Sequence, residues 1–165
     1  MSTTATITET NITLRITRLF DAPRELIFKA WTDQAQFHQW FGAAACGGAT
    51  VTSVRLDARV GGKYRLQLRR PDGEYFTTVG VYREVEAPER LVFTWQFEAD
   101  GSGDEFGAVE PPEMLVTVEL KARGRQTELT LTHEKFASVE SRDRHQEGWT
   151  RCVDALGKLV AGEIA

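Results

Sequence analysis

The sequence is short of most things that mark a dedicated chemistry. Two cysteines, Cys46 and Cys152, are too few for a disulfide framework and form no C-x-x-C pair, so they are read as reduced thiols. The histidines His38, His133 and His145 lack close ligand spacing, and neither a metal nor another cofactor is expected. No serine occupies a G-x-S-x-G elbow, no G-x-G-x-x-G opens a helix and no phosphate loop occurs. Acyl-enzyme and nucleotide chemistry are therefore unsupported, and no catalytic residue is assigned. The opening MSTTATITET has neither a basic n-region nor an apolar run, so it is no signal peptide or membrane anchor. Residues 1–10 are read as a disordered tail, and the cytoplasm as the natural compartment. A net charge of -4 gives no general attraction for nucleic acid or an anionic membrane.

What is present begins with the last stretch, HQEGWTRCVDALGKLVAG. At roughly 100° per residue, His145, Trp149, Cys152, Val153, Leu156 and Val160 share one side of a helix. Glu147 with Arg151 and Asp154 with Lys158 line the other as acid-before-base pairs four residues apart, the favourable order on a wet surface. The dry side needs a partner, and nearly everything upstream reads as strand.

Residues 12–20 alternate, with Ile12, Leu14 and Ile16 on one face. PRELIFKAWT then has helical spacing behind Pro23, and Asp33 with Gln36 resembles a capping box for a second short helix carrying Phe37, Trp40 and Phe41. Residues 42–48 are small and loose. Strands are expected over 50–56, 63–69, 74–85, 91–97, 114–122 and 127–133, separated by turn signals. Gly61-Gly62 predicts a two-residue type I′ hairpin. Residues 98–112, rich in glycine, proline and acids, predict a long loop and a candidate lid. Ser138 or Ser141 would cap the final helix. This order predicts an α+β domain over 11–165, with an antiparallel sheet of about seven strands curling around the terminal helix and leaving space between them.

The run FDAPRELIFKAWTD, the following WF, LDARVGGKYR, the PDG turn, VGVYREVEAPERLVFTW, TELTLTHEKF and HQEGW resemble bacterial members of the activator of heat-shock-protein-90 ATPase homologue family. That family lies in the START-like, or SRPBCC, superfamily. The resemblance implies the helix-grip fold, with a deep pocket that in relatives holds lipids, sterols, plant hormones, polyketides or other apolar molecules. The eukaryotic co-chaperone that names the family has an additional N-terminal domain that binds the chaperone. No such domain is recognised here, so chaperone binding is not implied. One departure is Asp33-Gln34-Ala35, where many relatives have a proline after the aspartate.

The candidate ligand-binding residues are Trp40, Tyr64, Phe93, Trp95, Phe97, Met114, His133, His145, Trp149 and Val153. The aromatic faces suit either a pocket wall or plain core filling. The two inward histidines suit either ligand contact or internal hydrogen bonding. Asp57 and Arg59 read as an ion pair bracing a turn, while Arg55 would reach a ligand carboxylate only if its face looks inward. The leading expectation is a binding protein for a small apolar or amphipathic molecule. The alternatives are a cofactor-free cyclase or isomerase with His133 or His145 as proton carrier, and a stress-related, co-chaperone-like interaction module. An unpaired sheet edge leaves a homodimer open.

Overall fold

In the computed structural model, which describes residues 12–44, 49–100, 102–103 and 106–162, the chain starts with an edge strand. Strand β1 (Ile12–Phe20) turns Leu14, Ile16 and Phe20 inward. Helix α1 (Arg24–Thr32) follows, with Pro23 as its extended N-cap residue and Ile27, Phe28, Ala30 and Trp31 buried. Helix α2 (Gln34–Ala44) begins directly afterwards, where Asp33 Oδ2 accepts from the Gln36 amide at 3.0 Å. Gln34 uses its side-chain oxygen to accept from the Leu56 amide at 3.0 Å, which ties α2 to the next strand.

The two helices carry the chain to the opposite sheet edge. From there β2 (Thr50–Leu56), β3 (Lys63–Arg69), β4 (Tyr75–Glu86), β5 (Arg90–Glu98), β6 (Val109–Arg123) and β7 (Gln126–Phe136) return as a meander, and β7 closes beside β1. The sheet is antiparallel, in the order β1-β7-β6-β5-β4-β3-β2. Helix α3 (Val139–Val160) lies against it. Ser138 is its N-cap, with Oγ accepting from the Ser141 amide at 3.1 Å, so the helix starts six residues before His145. It meets β1 closely, where a Cβ on Gly157 would come within 3.3 Å of the Phe20 ring.

Several expectations are corrected. Asp154 pairs with Arg18 of β1 at 2.6 Å rather than with Lys158, because the strand edge brings a guanidinium to that side of the helix. The β2–β3 connection is not a two-residue I′ turn. Only Gly61 has positive φ, at 86°, and the loop spans 57–62, folding back so that Gly61 donates to the Tyr82 carbonyl at 2.9 Å. Gly62 is needed for space instead, since a Cβ there would lie 1.9 Å from the Asp57 carbonyl oxygen. Asp57 does brace that loop, accepting from Arg59 Nε at 2.9 Å. Arg55 faces outward, its guanidinium 5.2 Å from the Phe106 ring centre.

The candidate lid sits on the wrong face for that role. β5 extends to Glu98 and β6 begins at Val109, and the described residues between them fold over the outer face of β3. There Arg65 and Glu98 form a fully buried two-pronged ion pair at 2.8 and 2.9 Å, and the Gly103 carbonyl accepts from both Arg65 and Gln67 at 2.8 Å. β7 also runs three residues beyond His133. A bulge against β1, with Lys135 at φ 73°, lets both His133 and Phe136 point inward although they are three apart. Cys46 and residues 1–10 lie outside the described residues. Among the described residues no helix is long and apolar enough to cross a membrane.

Candidate functional site

The middle of the space between sheet and helices is filled by rings. Alternation on β3, β4 and β5 sends Tyr64, Tyr82, Phe93 and Trp95 inward, where they meet Trp31 and Trp149. What remains there is about 10 Å³, on the scale of a single water. Tyr64 lies over Gly80, its cross-strand neighbour, and its hydroxyl donates to the Thr94 carbonyl. Burial, reinforced by Tyr82, raises its pKa well above the ordinary tyrosine value, so it stays a neutral donor.

The larger space opens beside the N-terminal half of α3. It measures about 590 Å³ and lies between that helix and the end of the sheet formed by β3, β4 and β5. Trp95 and Trp149, 5.1 Å apart between ring centres, separate it from the packed middle. Leu68, Phe76 and Phe97 supply the apolar sheet side, and Phe41 closes in from α2. The helix contributes Ser141, His145, Gly148 and Cys152, positions spaced by four, three and four residues that fall on one side of α3. Gly148 matters by what it omits: a Cβ built there meets nothing within 4 Å. Three arginines complete the lining, Arg70 from the residue just after β3 and Arg144 and Arg151 from α3. All three are exposed, so their charged ends stand at the mouth.

Two histidines define the polarity of the wall. Trp149 Nε1 donates to His133 Nδ1 at 3.0 Å, which leaves the proton of the neutral imidazole on Nε2. His133 is completely buried, and desolvation, helped by His145, lowers its pKa from 6.5 to about 2. Its Nε2 and the Trp95 Nε1 are buried donors without a partner among the described residues. His145 bonds the Ser141 carbonyl through Nδ1 at 2.8 Å. A carbonyl only accepts, so Nδ1 carries the proton and Nε2 keeps a free lone pair. Burial lowers the pKa of His145 as well; Arg144 adds to the effect and the bond to Ser141 opposes it. Both rings belong to one aromatic cluster, His145 lying 5.1 Å from His133 and 5.8 Å from Phe97 between ring centres.

Of the ten sequence candidates, Trp95, Phe97, His145 and Trp149 line the open cavity, and Tyr64 and Phe93 the packed middle. The other four line neither space. Trp40 is fully buried with its N–H spent on the Ala30 carbonyl at 2.8 Å, and Met114 sits across from Trp95 on β6. His133 is behind Trp149, and Val153 is buried beneath the helix. Sequence reasoning missed Arg70, Arg144 and Arg151 as cavity residues. The helical spacing of Ser141, Arg144, His145, Gly148, Arg151 and Cys152 carries a signal for the helix side, but Arg151 reads as part of the wet stripe. Among the described residues no group of histidine, cysteine and carboxylate could hold a metal ion.

Residues 21–161 match the sequence family described as Activator of Hsp90 ATPase homolog 1-like protein. Among curated proteins there is no match. The fold is similar to a solved protein from Chromobacterium violaceum at 25% identity and a TM-score of 0.76, covering 90% of this chain and 96% of that one. It is similar to the AHSA1 protein from Silicibacter pomeroyi at 26% identity and a TM-score of 0.75, with 92% and 99% covered. The solution structure of an AHSA1-like protein from Aeromonas hydrophila, 24% identical with a TM-score of 0.69 over 92% and 93%, agrees in fold.

Proposed function

The chain belongs to the family of Activator of Hsp90 ATPase homolog 1-like proteins, of the START-like superfamily with its helix-grip fold, and from that premise we propose that it is a binding protein for a small, mostly apolar molecule. The observation that carries this reading is the cavity of about 590 Å³ walled by Trp95, Phe97 and Trp149, a volume within the range of small-molecule sites. Apolar surface of a ligand lying on these rings leaves water, and the gain is roughly 25 cal/mol per Å². The place of such a molecule is beside the first half of α3 rather than along its whole length, because rings fill the middle. Native mass spectrometry of the protein isolated from cells tests this: a retained small molecule, lost when Gly148→Phe fills the cavity, is expected. A wild-type protein that neither retains nor takes up any apolar molecule would sink the proposal.

One observation favours a second reading, a cofactor-free proton-transfer enzyme. His145 lines the cavity with its Nε2 lone pair uncommitted, the state a general base needs. His133 does not share that role, since its acceptor nitrogen is occupied by Trp149. In this reading His145→Gln abolishes turnover of a bound substrate while largely sparing its affinity, and equal turnover by the variant refutes it.

A further inference from the structure

The cavity is apolar inside and cationic at its mouth. Arg70 reaches it from the sheet side, stacked 5.1 Å over the Phe76 ring centre, and Arg144 and Arg151 reach it from the helix, two turns apart. Among the described residues no carboxylate lines the cavity, although acids outnumber bases in the chain, 24 to 20. Among the described residues none of these three guanidinium groups has a carboxylate within ion-pair distance, whereas elsewhere on the surface Arg18 and Arg123 each hold one and Arg90 holds two. The Glu147–Arg151 pair that the helix spacing offers is not made. Three unneutralised cations around one apolar opening repel one another unless something negative sits between them. A guanidinium presents a planar fork that matches an oxyacid group with two hydrogen bonds.

We propose that the ligand is a single-chain amphiphile with an anionic oxyacid head group, a carboxylate or a phosphate, whose chain lies against Trp95, Phe97 and Trp149. Its head is held at the mouth by Arg70, Arg144 and Arg151. This rests on the reading of the cavity as a ligand site and adds the chemistry of the head group.

The test compares dodecanoate, dodecyl phosphate and uncharged 1-dodecanol by quenching of tryptophan fluorescence in the full chain. Three proteins are used: wild type, Arg144→Gln/Arg151→Gln and Gly148→Phe. The wild type is expected to bind at least one anion about tenfold tighter than the alcohol, a margin equal to one charge-assisted hydrogen bond; whichever anion leads identifies the head group. The double variant, which alters exposed side chains, keeps its melting temperature and its affinity for the alcohol and loses the preference. Gly148→Phe loses all three ligands. Equal wild-type affinity for the alcohol and both anions overturns the head-group assignment while leaving the cavity reading intact. Binding of none of the three, or binding unchanged in Gly148→Phe, overturns both.

Discussion

The indole N–H of Trp149 on α3 points into the protein and ends on Nδ1 of His133 on β7, 3.0 Å away. This bond joins α3 to β7 beside the wall that Trp149 forms between the packed middle and the cavity, and it adds to the burial of Cys152, Val153, Ala155 and Leu156 in orienting the helix. Replacing His133 with leucine leaves the buried N–H without an acceptor, and a loss of about 1–3 kcal/mol is expected in urea unfolding. His133→Leu as stable as wild type would show that the bond does not hold the helix in place.

The same histidine makes the fold sensitive to acid. Its pKa is about 2 when folded against 6.5 when exposed, so below pH 6.5 the unfolded chain takes up a proton that the folded protein refuses. The stability attached to this group is whole above pH 6.5 and falls by about 1.4 kcal/mol per pH unit toward the folded value. His145, also lowered, acts in the same direction. The urea midpoint is expected to drop between pH 7.5 and pH 5.5, and His133→Leu to drop less. Parallel profiles for the two proteins would contradict this.

Gly80 is required by Tyr64. A Cβ at position 80 would stand 2.0 Å from the Thr94 carbonyl oxygen and 2.6 Å from the Tyr64 hydroxyl, and one of these contacts is with backbone. Gly80→Ala is expected to cost about 3 kcal/mol by overpacking, read as a lower thermal midpoint.

Gly148 carries the opposite expectation. It sits in the interior of α3 with open space where a Cβ would go. Gly148→Ala should stabilise the protein by about 0.5–1 kcal/mol through restricted backbone freedom in the unfolded chain. Calorimetry showing a lower midpoint would mean that the helix is strained there.

Arg65 and Glu98 are buried together on the outer face of the sheet, with side chains 2% and 1% exposed. Removing one partner strands a charge, so Glu98→Ala is expected to cost about 3–5 kcal/mol, whereas replacing both with apolar residues of similar size should cost much less. A double variant as damaged as the single one would assign the loss to the surrounding loop.

The helix-grip architecture was legible because it rests on short-range periods. Alternation along β1 and the apolar side of α3 each depend on neighbours within a few residues, and the helical spacing identified His145 and Trp149 as inward. The local chemistry of Ser138 and Asp33 as caps could be read for the same reason. Tertiary structure decided everything that needed two distant segments at once. It gave Asp154 to Arg18, 136 positions away, rather than to the lysine one turn along, and it joined Arg65 to Glu98 under a loop that composition alone marks only as loose. It also turned His133 and Phe136 to the same side through a bulge whose cause lies in pairing with β1. Arg70 meets Arg144 and Arg151 around one opening only after the sheet end folds against the helix. Periodicity determines which way a side chain faces, because that is a property of one backbone segment; what it faces depends on the packing of several, and there the site was made.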